Sequence, residues 1–270
     1  MSYSKFKLFA KQMLHPVMML FAALYDRTKI EIIGNAIPPT QKLYIYAVNH
    51  SNGHDFPVTA KAIRRHFYIL ADFTMKNDIF ADLVNRLNGC IYVDRLSKES
   101  RKQSKEEMLF LLKSGKSVLL FPEGTWNLTP NLMTLPLNWG IIELSQLSGV
   151  PILPLTINYS GKKAVVNIGE AYLPSQEKTK KENIDALRES LATLLYNSQD
   201  CLPTISRDNL PNGYYAEWLE KQLTTYKKLD YEYEMSVVRH EYVSHEEVFD
   251  HLKTIQPSFN NAFLWNKRIK

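Results

Sequence analysis

Short runs of apolar, β-branched and aromatic residues alternate with stretches of helical spacing through the first two-thirds of the chain. That alternation restricts the fold to α/β: a mostly parallel central sheet whose strands are joined by flanking crossover helices. The runs are Ile30–Ile33, Leu43–Val48, Phe67–Leu70, Ile91–Val93, Ser117–Phe121, Ile152–Tyr159 and Ala164–Ile168. Between them the spacing predicts helices over Pro57–Arg65, Ile79–Leu87, Glu99–Lys113 and Trp139–Leu147, the third stopping at Gly115. One more helix, Ile184–Tyr196, is expected after the final strand. From Cys201 onward the strand signal fades. Tyr214, Tyr215, Trp218, Tyr226, Tyr231 and Tyr233 are spaced there among charges, so residues 201–270 are read as a helical C-terminal extension.

The 270 residues suffice for one large α/β domain, placed at residues 29–200, and the 45% apolar and 23% charged fractions are those of an ordinary globular chain. Two cysteines, Cys90 and Cys201, show no CxxC or metal spacing, which fits a reducing, cytoplasmic setting. A formal charge of +5 favours anionic partners without choosing among membrane lipid, nucleic acid and acidic metabolites. The basic residues are scattered and no nucleic-acid motif is present, so no nucleic-acid partner is expected.

Residues 1–28 read as an amphipathic helix. Phe6, Phe9, Ala10, Met13, Val17, Leu20, Phe21 and Leu24 fall at helical spacing, flanked by Lys5, Lys7 and Lys11. The apolar run from Met13 to Tyr25 is too short to span a bilayer and contains His15 and Pro16. No small-residue cleavage site follows it, so a signal peptide is not expected. Two readings stand: a membrane-interface anchor, or a helix docked on the protein's own core.

Candidate chemistry begins directly after the second run, in Asn49-His50-Ser51-Asn52-Gly53-His54-Asp55. Polar residues at the carboxyl end of a buried strand stand where open α/β sheets place their sites. A histidine accepts a proton near neutral pH, and a carboxylate on its other ring nitrogen fixes its tautomer, a role open to Asp55 toward His50. On these residues alone, a turn with an Asx or cap bond is the commoner account of such a pair. A metal site of His50, His54 and Asp55 is the less favoured alternative, since Asn52-Gly53 favours a turn over the helix that an i, i+4 histidine pair requires.

Three further segments bear on the choice: Gly89-Cys90-Ile91-Tyr92-Val93-Asp94-Arg95, Phe121-Pro122-Glu123-Gly124-Thr125 and Val150-Pro151-Ile152-Leu153-Pro154. With the His50–Asp55 segment, their order and spacing resemble the four sequence blocks of the glycerolipid and lysophospholipid acyltransferases, the 1-acylglycerol-3-phosphate acyltransferase-like family. The resemblance spans about residues 43–155.

It implies a glycerol-3-phosphate acyltransferase-like fold and direct acyl transfer to a lipid hydroxyl, with no serine or cysteine nucleophile. His50 would be the general base, with Asp55 orienting it; Arg95 and Glu123 would hold the acceptor, with Gly124, Thr125 and Trp126 lining the substrate site. Backbone N–H groups near Gly124 are expected donors to the developing oxyanion. The chain departs from the family at Trp126, where the third block ordinarily ends in arginine. An indole offers one donor and an apolar face in place of a bidentate phosphate grip. Either the acceptor lacks the glycerol phosphate, or Arg95 binds it alone, or Trp126 faces the core while another base such as Lys162 or Lys163 contributes.

The implied donor is acyl-coenzyme A or acyl carrier protein, as cosubstrate, with no bound cofactor and no metal. The implied acceptor is a lysophospholipid or related lipid, and the implied setting is the cytoplasmic inner face of the cell membrane, peripherally bound. The competing readings are a non-catalytic lipid-binding or scaffold protein on this fold and a metal-dependent hydrolase.

Overall fold

The computed structural model describes residues 16, 26–35, 37, 43–73, 89–129, 132–203 and 209–225. The helix expected over Ile79–Leu87, most of the expected N-terminal helix and residues 226–270 lie outside the described residues.

Seven strands form one sheet: β1 (Lys29–Gly34), β2 (Ile45–Val48), β3 (Tyr68–Asp72), β4 (Cys90–Val93), β5 (Val118–Leu120), β6 (Ile152–Ser160) and β7 (Lys163–Ile168). Their order is β1-β7-β6-β2-β5-β3-β4, and every neighbouring pair is parallel except β6 and β7. The largely parallel sheet expected from the sequence is therefore the one observed. The β6–β7 reversal is a tight hairpin, with Ser160 opposite Lys163 and Gly161 at φ 57° supplying the left-handed turn position. Lys162 and Lys163 sit at this hairpin tip, and Lys163 pairs with Glu31 at 2.7 Å.

The five regular α-helices of the described residues are α1 (Asp55–Ile63), α2 (Lys98–Lys113), α3 (Gly140–Ser148), α4 (Lys180–Ser198) and α5 (Tyr214–Thr225). Both faces of the sheet are covered, which is why its strands read as continuous apolar runs. The pleat divides them. Ile45, Ala47, Val118, Leu120 and Ile152 face α2, α3 and α4 through Met108, Leu111, Ile142, Leu187 and Leu191. Tyr44, Tyr46, Val48, Leu119, Leu153 and Leu155 join Val58, Ala62 and Ile63 of α1 on the other side. Burying a leucine such as Leu187 fully contributes about 2 kcal/mol by the area removed from water.

Helix α1 starts two residues before the Pro57 that the sequence suggested. Proline lacks only an N–H that the first helical turn leaves unbonded, so Pro57 is accommodated there. Asp55 thereby falls on the first turn, where a carboxylate is favoured by the helix dipole. Helix α2 is capped by Ser97, whose side chain accepts from the Ser100 N–H, and α4 carries a full capping box between Thr179 and Glu182. Of the expected C-terminal extension, α5 is the regular helix among the described residues. Its Tyr215 hydroxyl donates to the Leu128 carbonyl at 2.6 Å, tying the helix to the loop after β5.

Candidate active site

The site lies at the carboxyl end of the central strands. After β2, Asn49 is buried, and its side chain continues the ladder toward β6: its Oδ1 accepts from the Ile157 N–H at 2.7 Å and its Nδ2 donates to the Ile157 carbonyl at 3.1 Å. The chain is thus clamped to the sheet immediately before His50. Asn49→Ala is expected to cost about 2–3 kcal/mol, because two buried backbone groups lose their partner. A lowered urea midpoint at unchanged slope would register the loss.

His50 is fixed from four directions. Its N–H donates to Glu123 Oε1 at 2.8 Å, and its carbonyl accepts from the Asn127 N–H at 2.7 Å. Its ring stacks on Phe121 with centroids 4.0 Å apart and planes 12° apart, while Trp126 stands edge-on at 5.9 Å. Its Nδ1 lies 2.8 Å from Asp55 Oδ2. An ionised carboxylate only accepts, so Nδ1 carries the proton and Nε2 keeps its lone pair. About a fifth of the side chain, 21%, is open to solvent.

Asp55 is fully buried yet well satisfied. Besides His50, Oδ2 accepts from the Ser51 N–H at 2.6 Å and the Asn52 N–H at 2.9 Å; Oδ1 accepts from the Ser51 hydroxyl at 3.1 Å and the Tyr159 hydroxyl at 2.8 Å. The intervening turn closes as the sequence required, with Asn52 Oδ1 accepting from the His54 N–H at 2.8 Å. His54 does not join His50. Its Nδ1 lies 3.7 Å from Asp26 Oδ1, on the far side of the turn, so the His50, His54 and Asp55 metal arrangement is not formed. Among the described residues no group of three or more His, Cys, Asp and Glu side chains is disposed to hold a metal ion.

Glu123, in the loop after β5, is buried, and its two oxygens serve two backbone donors, His50 and Leu135, the second at 2.7 Å. Burial pushes its carboxyl up to about 8; the two N–H donors and Arg188 oppose this shift, and the nearby Asp55 charge adds to it. Gly124 adopts φ 79°, and a Cβ there would meet Asn138 Nδ2 at 2.7 Å, so glycine is required. The Gly124 N–H donates to the Phe121 carbonyl at 3.0 Å, closing the turn. Thr125 is buried behind it. Arg95, after β4, donates from Nε to Asp72 Oδ2 at 2.6 Å and from Nη1 to the Gly124 carbonyl. Its guanidinium therefore joins the end of β3 and the loops following β4 and β5.

The structure brings together His50, Asp55, Glu123 and Trp126, and couples Arg95 to Gly124. Trp126 is half-buried against the His50 ring and is not a core residue. Sequence reasoning quoted Asn49 and Phe121 within the site segments without giving either a role, and missed Tyr159 as part of the site. The signal for two of them lies in strand pairing: Val48 stands beside Leu155 in the parallel β2–β6 register, which carries the end of β6 along the His50–Asp55 turn.

Comparison with known proteins bears on the fold and on the family this chain resembles. A family model described as Acyltransferase matches residues 29–158. A 1-acyl-sn-glycerol-3-phosphate acyltransferase of Borreliella burgdorferi is 28% identical over 52% of this chain and 57% of its own. An uncharacterized acyltransferase of Schizosaccharomyces pombe is 29% identical over 55% and 54%, and a 1-acyl-sn-glycerol-3-phosphate acyltransferase of Saccharomyces cerevisiae 27% identical over 44% and 39%. The chain thus spans about half the length of the curated relatives it matches. In fold it is similar to the crystal structure of the 1-acyl-sn-glycerophosphate acyltransferase PlsC of Thermotoga maritima, with a TM-score of 0.57, 17% identity, and coverage of 72% of this chain and 84% of that one. The matched region runs from β1 through most of β6 and encloses the His50–Asp55 pair and the loop after β5, so over these residues the chain is similar to the family described as Acyltransferase.

Proposed function

We propose that the protein is an O-acyltransferase that moves a fatty acyl group from a thioester donor, acyl-coenzyme A or acyl carrier protein, to the hydroxyl of a lysophospholipid or related lipid. The observation that carries this reading is the His50–Asp55 pair: a base with its lone pair on Nε2, held by a fully buried carboxylate at 2.8 Å. His50 Nε2 removes the proton of the acceptor hydroxyl as its oxygen attacks the thioester carbonyl. The tetrahedral intermediate collapses with cleavage of the carbon–sulfur bond, and the proton passes from His50 to the departing thiolate. Asp55 stabilises the transient imidazolium. No acyl-enzyme forms, and no bound cofactor or metal is called for by this route.

Glu123, with both oxygens on backbone amides, acts in this mechanism by holding the loops after β2 and β5 together. Arg95 supplies positive charge toward the acceptor. Trp126 places an apolar wall beside the base where a basic residue was expected, so the acceptor's anionic group is left to Arg95 or is absent. The intact pair argues against a purely non-catalytic scaffold.

Work at a lipid surface is supported by two exposed apolar side chains at the site end of the sheet: Phe73 just beyond β3, 50% exposed, and Leu96 beside Arg95, 67% exposed. No helix among the described residues is long and apolar enough to cross a membrane. In this reading attachment is peripheral, on the cytoplasmic inner face. Phe73→Asp with Leu96→Asp is expected to weaken binding to anionic phospholipid vesicles about tenfold, since two apolar contacts are lost. Sedimentation with the vesicles reads this directly.

The test of function is thiol release from long-chain acyl-coenzyme A or acyl carrier protein, offered lysophospholipids, glycerol phosphate and phosphate-free lyso-lipids. Acceptor-dependent release is expected with at least one lyso-lipid. Release from neither donor with any of these acceptors would refute the transferase reading.

A further inference from the structure

The geometry points to Tyr159 as a positioning residue that sets the basicity of the catalytic pair; this inference rests on the general-base reading above. Tyr159 stands near the end of β6, and its hydroxyl reaches Asp55 Oδ1 at 2.8 Å across 104 residues of sequence. The other donors to Asp55 come from the His50–Asn52 turn itself, within five residues. They move with the turn. Tyr159 is the contact that references the carboxylate to the sheet.

The same strand anchors the other end of the turn, through the Asn49 side chain on the Ile157 backbone. Strand β6 thus fixes the turn on both sides of His50: the backbone before it and the carboxylate behind it. Two oxygens divide the work on Asp55. Oδ2 takes the imidazole and two backbone N–H groups, whereas Oδ1 takes only hydroxyls, the nearer being that of Tyr159.

A phenol donates more strongly than an aliphatic hydroxyl, so it withdraws charge from the carboxylate that faces Nδ1. A less negative Asp55 stabilises imidazolium less, which keeps His50 unprotonated, and therefore basic, to lower pH. Removing the hydroxyl raises the proton affinity of the pair. The acid limb of the rate profile then moves to higher pH. The carboxylate, free to turn about its own bond, also holds the ring less firmly.

Tyr159→Phe is expected to lower kcat about tenfold, with little change in KM for either substrate, and to move the acid limb of the kcat profile upward by about half a pH unit. A purely structural role would lower the folded fraction and leave the limb in place. Wild-type kcat with an unmoved limb would overturn the proposal. Should Tyr159→Phe fail to fold, 3-fluorotyrosine placed at position 159 decides the matter, since its more acidic phenol retains the ring and strengthens the donor. The acid limb is then expected to move downward, and an unmoved limb would be fatal to the proposal. A His50→Ala control run alongside separates the two layers. If that control stays active, the general-base reading itself fails; if it is dead while the position-159 variants behave as wild type, the role of Tyr159 alone is withdrawn.

Discussion

His50→Ala is expected to lower kcat for acceptor-dependent thiol release by about a thousandfold while leaving the fold in place. The size follows from what is removed. A lipid hydroxyl is a poor nucleophile until its proton is taken, and a positioned base contributes about 10²–10⁴ in rate. The same variant spares most of what holds the site. The backbone bonds from position 50 to Glu123 and Asn127 do not involve its side chain. The stack on Phe121 is lost, and with it about 1 kcal/mol, together with one of the donors to Asp55. Four donors to that carboxylate persist. A urea midpoint close to that of the wild type, with turnover reduced about a thousandfold, is the expected pair of results. Near wild-type turnover would remove His50 as the base. A chain that no longer folds would show that its ring is chiefly a packing element.

The fold was legible in the sequence because burial on both faces writes each central strand as an unbroken apolar run, which no other element of this length imitates as well. All seven expected runs lie within two residues of the observed strands at both ends, as with Ile152–Tyr159 against Ile152–Ser160. Phe67–Leu70, at the same stage, stops two residues before Asp72, because Ala71 and Asp72 carry no strand signature and are held in β3 by pairing with Tyr92 and Val93. The His50–Asp55 pair was legible because its members lie five residues apart, so that a single turn closes it. Tyr159 was not, since its partner is 104 residues away and the contact exists only through the parallel register of β2 and β6. Glu123 was legible as a site residue but not in its surroundings. Its two backbone partners, at positions 50 and 135, carry no side-chain signal, because an N–H is present at nearly every residue. Trp126 was visible as a departure in the sequence, yet only the folded loop shows that the indole stands against the imidazole.

Glu123 supplies the second large effect, and its sign can be worked out. Its folded carboxyl titrates at about 8, against an ordinary value of 4.5, chiefly because burial penalises the charge. The native state therefore holds this proton more tightly than the unfolded chain does. Below about pH 4.5 both states are protonated at this group and it contributes no pH dependence. Between about 4.5 and 8 the unfolded chain loses the proton first, so stability falls as pH rises through that window and levels off above it. Glu123→Gln removes the titration but replaces one acceptor oxygen with an NH₂ group, leaving the N–H of either His50 or Leu135 without its partner. The variant is expected to be about 1–3 kcal/mol less stable than the wild type at pH 5, with the gap closing and then reversing sign toward pH 8 as the wild type loses its own advantage. Turnover should fall as well, because an unheld His50 N–H loosens the backbone from which the base projects. Urea unfolding at the two pH values measures the gap. A gap that stays constant would place the titration of Glu123 outside this window, and a gap that widens with pH would mean that the buried carboxylate is charged and stabilising, held down by its two backbone donors and Arg188.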